Sequence, residues 1–189
     1  MIYLSTILQY LTLGFTHVIP YGFDHILFIL SIFLLNSNLK SVVIQCSFFT
    51  LAHSITLGLA ACGILFPNSN YIEPLIAISI LFTSIENIIH KEKNPYRLLI
   101  LFGFGLIHGM GFANALKEIG IPKDQFFTSL LSFNIGVEIG QITVLILAYL
   151  LISKWLAHKT WYKTHVIYPI SSLIGCIALY WTIERLLAL

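Results

Sequence analysis

Residues 17–25 read HVIPYGFDH, which sets His17, Asp24 and His25 around Pro20 and Gly22. Imidazole suits nickel, cobalt, zinc, iron and copper, and a carboxylate adds hardness and neutralises cation charge. Asp24 is the only Asp, Glu, Lys or Arg among residues 1–35. Three candidate ligands therefore stand in a segment that otherwise excludes charge. Proline removes a backbone donor and clashes with the preceding turn, so a helix must break at Pro20–Gly22. Such a break frees backbone groups that survive at membrane depth only beside protein, water or an ion. Apolar segments interrupted by Pro or Gly are also the sequence pointer to a transporter's binding site.

Four further ionisable residues fall within apolar runs: His53 in AHSITLG (52–58), Glu86, His108 in GFGLIHGMGFA (103–113) and Glu138 in FNIGVEIGQ (133–141). Intramembrane ionisable groups are costly and mark function by default. A helix rises about 1.5 Å per residue, which puts His53 roughly 18 Å, His108 roughly 16 Å and Glu138 roughly 20 Å from the basic ends of their segments. Asp24 and His25 come out at about 16–18 Å by the same rise. These five side chains are expected in one layer near the bilayer midplane. Glu86, at about 6–8 Å, is expected nearer the basic end, as a second or exit site. Asn134, Glu138 and Gln141 share a helix face, so Asn134 and Gln141, with Asn87 and Ser54, are candidate partners that orient the ligands. Gly103, Gly105, Gly109, Gly111 and Ala113 surround His108 and permit close helix approach.

The elements that must position these residues follow from composition. The 189 residues are 58% hydrophobic and 10% charged, against about 25% charged in a soluble domain, with mean hydropathy +0.90. Runs of roughly 20 apolar residues, the length of a span, recur. The expected fold is all-α: a single polytopic transmembrane bundle over residues 1–189. Spans are drawn at 22–35, 41–62, 72–90, 97–116, 126–152 and 165–187, making six. Segment 3–19 is expected as an interfacial or re-entrant helix, with a seventh span left open. No basic stripe suggests nucleic acid. Cys46, Cys62 and Cys176 form no CxxC pair, so neither a disulfide framework nor a thiolate site is expected. The opening MIYLSTILQY lacks a basic n-region and is expected to belong to the mature fold. Lys40, Lys91, Lys93, Arg97, Lys154, Lys159 and Lys163 fall on one side, Lys117, Lys123 and Arg185 on the other. The positive-inside rule makes the first side cytoplasmic and the C-terminus extracytoplasmic, in what is expected to be a bacterial inner membrane. His158 and His165 are expected to be solvated in the basic loop, and His90 to end a helix.

GFTHVIPYGFDHILFILSIFLL, LAHSITLGLA, EPLIAISI with IEN, FGLIHGMGFA and FNIGVEIGQ, in this order over about residues 12–145, resemble the HupE/UreJ family. These are small polytopic proteins associated with hydrogenase and urease accessory genes. The family is similar to nickel/cobalt permeases in its His…Asp-His signature, which His17, Asp24 and His25 match; His53, Glu86, His108 and Glu138 match its other polar positions. In this chain the interval between His17 and Asp24 is longer than the usual family form. The resemblance implies a nickel or cobalt role and metalloenzyme-maturation proteins as partners.

Two functions stay open on the residues. The first is a permease for a divalent transition metal (Ni, Co or Zn) held by His17, Asp24, His25, His53, His108 and Glu138, with Glu86 beyond. The second is an intramembrane zinc hydrolase acting on a lipid or a membrane-embedded peptide. A catalytic zinc needs three protein ligands and a water, with Glu138, Asp24 or Glu86 as general base. HExxH, the commonest local signature of the second, is absent. A proton relay or an accessory role without transport completes the alternatives.

Overall fold

The computed structural model describes residues 2–35, 38–89 and 95–188, apart from the side chains of Ile2, Tyr3, Asn114, Lys117, Glu118 and Lys123. His90, Lys91 and Lys93 lie outside the described residues, as do the side chains of Lys117 and Lys123. The chain is an all-helical bundle, as the apolar runs predict. Its helices are α1 (Ile2–Val18), α2 (Phe23–Leu35), α3 (Leu39–Ala61), α4 (Ser69–Ile89), α5 (Arg97–Gly111), α6 (Ala113–Ile119) and α7 (Phe126–Ala148). A π-helical turn, Tyr149–Ser153, carries α7 into α8 (Lys154–Leu156), and a second, Lys163–Ile167, leads into α9 (Tyr168–Leu187).

Among the described residues, α3, α4, the continuous stretch Phe126–Leu156 and Lys163–Leu187 are long and apolar enough to cross a membrane. The pair α1–α2, bent by 67°, passes the same test together, whereas α5 is a shorter apolar helix. Polarity is arranged for lipid. Ile44, Phe48, Leu51 and Ile55 on α3 are exposed, as are Leu131, Ile135 and Ile139 on α7, while His25, His53, His108, Glu86, Arg97 and Gln141 are buried. An apolar exterior around polar residues is the inverse of a soluble domain, whose charged groups are almost never fully buried unless paired.

Named contacts fix the helix directions. Gly105 abuts the Phe49 carbonyl and Gly109 that of His53, so α3 and α5 run parallel. Asn87 reaches Ser171 at 3.1 Å while Arg185 reaches the Glu73 carbonyl at 2.9 Å, so α4 and α9 are antiparallel. Gly14 meets Phe133 and Val137, Gly136 meets Leu11 and Phe15, and Gly140 meets Val18; α1 therefore runs parallel to α7. Small residues let backbones this close pack by dispersion. Of the arrangements open for residues 3–19, the observed one places α1 inside the bundle, along α7. The α2 residue Ser31 meets Ser84 at 3.2 Å and accepts from Asn87 at 3.0 Å through its carbonyl. Further up α2, the His25 ring lies 5.2 Å from that of His108, which bonds Ser79. So α2 runs parallel to α4, and α1–α2 is a pair bent at the Pro20–Gly22 break that passes the span test only together. A Cβ on Gly22 would overlap the His17 carbonyl, which is why the break can fold so tightly.

Candidate metal centre

The break does what its residues predict: α1 delivers His17 and α2 delivers His25 to one place. His25 is the hub. Its ring centroid lies 4.6 Å from His17, 5.7 Å from His53 and 5.2 Å from His108, and His17 lies 6.0 Å from His53. Four imidazoles from α1, α2, α3 and α5 thus meet inside the bundle. His53 is fully buried, and His25 and His108 nearly so. Phe28, Phe49, Phe112 and Phe133 wall the cluster, with Phe112 4.1 Å from His17 and Phe49 4.9 Å from His108.

Two hydrogen-bonding contacts favour one tautomer each for His108 and His25. The Ser79 hydroxyl donates its proton to the Ile76 carbonyl at 2.7 Å, so at 2.9 Å from His108 Nε2 it accepts. Neutral His108 then carries its proton on Nε2 and presents a lone pair at Nδ1. The Asp24 carboxylate accepts from the His25 backbone N–H at 2.9 Å and lies 3.2 Å from His25 Nδ1. That holds the His25 proton on Nδ1 and frees Nε2. His17 Nε2, His25 Nε2, both nitrogens of His53 and His108 Nδ1 are buried without a hydrogen-bond partner. Buried polar atoms are nearly always satisfied, so unpartnered nitrogens gathered in one cluster call for a partner, which a bound water or ligand would supply.

With metal–nitrogen bonds of about 2.0–2.1 Å, two imidazoles sharing one ion have centroids about 5 Å apart. Among the described residues, no three His, Cys, Asp or Glu side chains are arranged so that they could hold a metal ion together. The cluster is a group of donors within reach of one another rather than a formed cage. It floors a cleft of about 380 Å³ lined by His17, Asp24, His25 and His108, with Glu73 and Arg185 at its rim.

Asp24 lies against His25, whereas Glu138, expected in the same layer, and Glu86, expected nearer the basic end, have other partners. Glu138 Oε1 accepts from Ser47 at 2.6 Å, and Ser47 precedes His53 by six residues in α3, about 9 Å toward the basic end. Its Oε2 is buried without a partner. Glu86 is engaged by Arg97, whose Nη1 lies 2.5 Å from Oε2 and whose Nε donates to Gln45 at 2.6 Å. Sequence reading counted Arg97 among loop charges; it is buried and ties α3, α4 and α5 together. The polar residues expected to orient ligands serve mostly as helix glue. Asn87 joins α2 to α9, Ser54 bonds the Thr50 carbonyl and Asn134 the Leu130 carbonyl. Gln141 is buried with both amide atoms unpartnered. The serines that contact His108 and Glu138 are Ser79 and Ser47. Their one sequence signal is a hydroxyl within an apolar run, a signal many packing serines share. His158 and His165 are exposed, as expected.

A lipid-compatible bundle enclosing a histidine cluster defines an integral membrane protein with an intramembrane polar centre. The chain belongs to the HupE / UreJ protein family, whose family model matches residues 2–185. No curated protein and no solved structure matches it.

Proposed function

We propose that the chain is a permease for a divalent transition metal, nickel or cobalt before zinc, in a bacterial inner membrane. The observation that carries this reading is the set of partnerless, buried imidazole nitrogens around His25. The metal is cargo, bound by His17, His25, His53 and His108. Asp24 and Ser79 hold the His25 and His108 tautomers and supply the outer hydrogen bonds that raise ligand basicity. Glu138, with one free oxygen below the cluster, is the next station toward the basic end, taken as cytoplasmic. Conduction needs several sites of moderate strength, and polar groups at several depths fit that better than a single closed catalytic site. Arg97 and Glu86 form the inner closure: a fixed cation bars a divalent ion until the pair opens. Membership of the HupE / UreJ family and its likeness to nickel/cobalt permeases support the choice of metal, and metalloenzyme-maturation proteins are the partners that choice implies.

Proteoliposomes with a trapped metal-sensitive dye test the reading. Wild type is expected to admit Ni²⁺ or Co²⁺, and His25→Ala to lose uptake. Uptake undiminished in His25→Ala, or none in wild type, contradicts it. Ser79→Ala should weaken metal affinity by about 10-fold, the scale of losing an outer hydrogen bond to a ligating histidine. Calorimetric titration reads that change, and unchanged affinity would remove Ser79 from the site. A metal that survives chelation, with hydrolysis of an added lipid or peptide, would favour the zinc hydrolase.

A further inference from the structure

The cleft that ends on the histidines begins at a charged rim. Glu73 lies in the second turn of α4 just before Pro74, and Arg185 sits in the last turn of α9. Arg185 is anchored. Its Nη1 donates to the Glu73 carbonyl at 2.9 Å, and its guanidinium lies over the Trp181 ring at 5.4 Å. The Glu73 carboxylate is held loosely, 3.9 Å from Arg185 Nε and half exposed. Beside them a recess of about 260 Å³ is lined by Asn70, Glu73, Glu184 and Arg185. An ion reaching the buried nitrogens of His25 and His108 by this cleft passes the anchored guanidinium of Arg185 and the half-exposed carboxylate of Glu73.

We propose that Glu73 and Arg185 form a charge gate at the mouth of the histidine cleft. Glu73 is the capture carboxylate for a hydrated divalent cation, and Arg185 is the opposing charge that limits its arrival. The inference rests on the histidine cluster being a metal site. Charges at the mouth of a cleft with low-dielectric walls shape the field an arriving ion meets and so change its association rate. The anchoring is asymmetric, so the two side chains do different jobs. Arg185 keeps its place through a backbone carbonyl and an aromatic face, which leaves the carboxylate of Glu73 available to the ion.

The two groups must then act with opposite signs. Glu73→Gln should slow Co²⁺ association about 10-fold at low salt, and Arg185→Gln should speed it by a similar factor. Both shifts should shrink at high salt, as the screening length falls to about 3 Å at 1 M. Arg185→Lys keeps the charge and should track wild type. A purely structural tie between α4 and α9 would instead make every loss harmful.

The experiment uses the full chain in nanodiscs, with Trp155→Phe and Trp161→Phe leaving Trp181 at the mouth as the fluorophore. Stopped-flow mixing with Co²⁺ reads paramagnetic quenching, and His53→Ala in the same background supplies the control. Opposite shifts for the two charge variants that shrink with salt, with Arg185→Lys near wild type, support the gate. Shifts in one direction, or none, while wild type still binds saturably and His53→Ala does not, overturn the gate and leave the metal site standing. Non-saturable quenching indistinguishable between wild type and His53→Ala overturns both. Gel filtration of each variant identifies any that fails to fold; if a Gln variant does, Glu73→Ala or Arg185→Met removes the same charge and gives the same readout.

Discussion

Arg97→Met is expected to lower stability by about 3–5 kcal/mol, because it leaves the Glu86 carboxylate buried without its countercharge. Glu86 is 4% exposed and its Oε2 lies 2.5 Å from Arg97 Nη1. The Gln45 side-chain amide oxygen loses its 2.6 Å donor in the same step. Desolvating the two ions costs more than a surface pair would, so the pair contributes order rather than a large net gain. Glu86→Gln should be similarly harmful, stranding the guanidinium. The double variant Arg97→Met/Glu86→Leu removes both charges and should recover most of the loss, as replacing whole buried pairs by apolar residues often does. Thermal or denaturant unfolding of the three proteins in one detergent measures this. Equal stability for Arg97→Met and wild type would show that the pair is solvated. If the pair is also the inner closure, the double variant should leak metal toward the cytoplasmic side while still binding it.

Gly136→Leu should separate α1 from α7 and take His17 out of the cluster. A side chain there would overlap the Leu11 carbonyl, and one on Gly14 the carbonyl of Phe133. These obstacles are backbone, which cannot rotate aside. Overpacking of this kind costs about 1–3 kcal/mol where it can be relieved by shifts, and here relief means moving α1. The outcome should be a double loss, of stability and of metal affinity. Gly103→Ala is the matched control, since nothing lies within 4 Å of a Cβ there and alanine is the better helix former. Unfolding midpoints and metal titration of both variants decide it. Gly136→Leu with wild-type metal affinity would mean that His17 takes no part in the site.

The fold was largely legible because lipid imposes a coarse rule: long apolar stretches must be helices. The break at Pro20–Gly22 was legible for a local reason, the missing donor and the ring clash of proline. What the break achieves was not. That α1 lies along α7 depends on Gly14 meeting Phe133 and Gly136 meeting Leu11, which are pairings between distant segments. At the centre, imidazoles in apolar spans announced themselves, and depth counting from helix rise brought His25, His53 and His108 to one level. Depth alone cannot tell a residue at the cluster from one on a neighbouring face. Glu138 came out at about the level of the histidines by helix rise, yet its partner is Ser47. Arg97 was hidden by its address at a helix start next to loop lysines; only the Glu86 and Gln45 side chains opposite reveal it as interior. Ser79 needed the Ile76 carbonyl to fix the direction of its proton, a detail no spacing encodes.

The central claim is that the imidazoles around His25 bind a divalent metal together. The most direct measurement is X-ray absorption spectroscopy of purified protein loaded with Co²⁺ or Ni²⁺, with metal content from elemental analysis, for wild type and His53→Ala. The account predicts a single saturable ion per chain in a shell dominated by imidazole nitrogen, with most of that metal lost from His53→Ala. An all-oxygen shell, or equal metal in the two proteins, would contradict it.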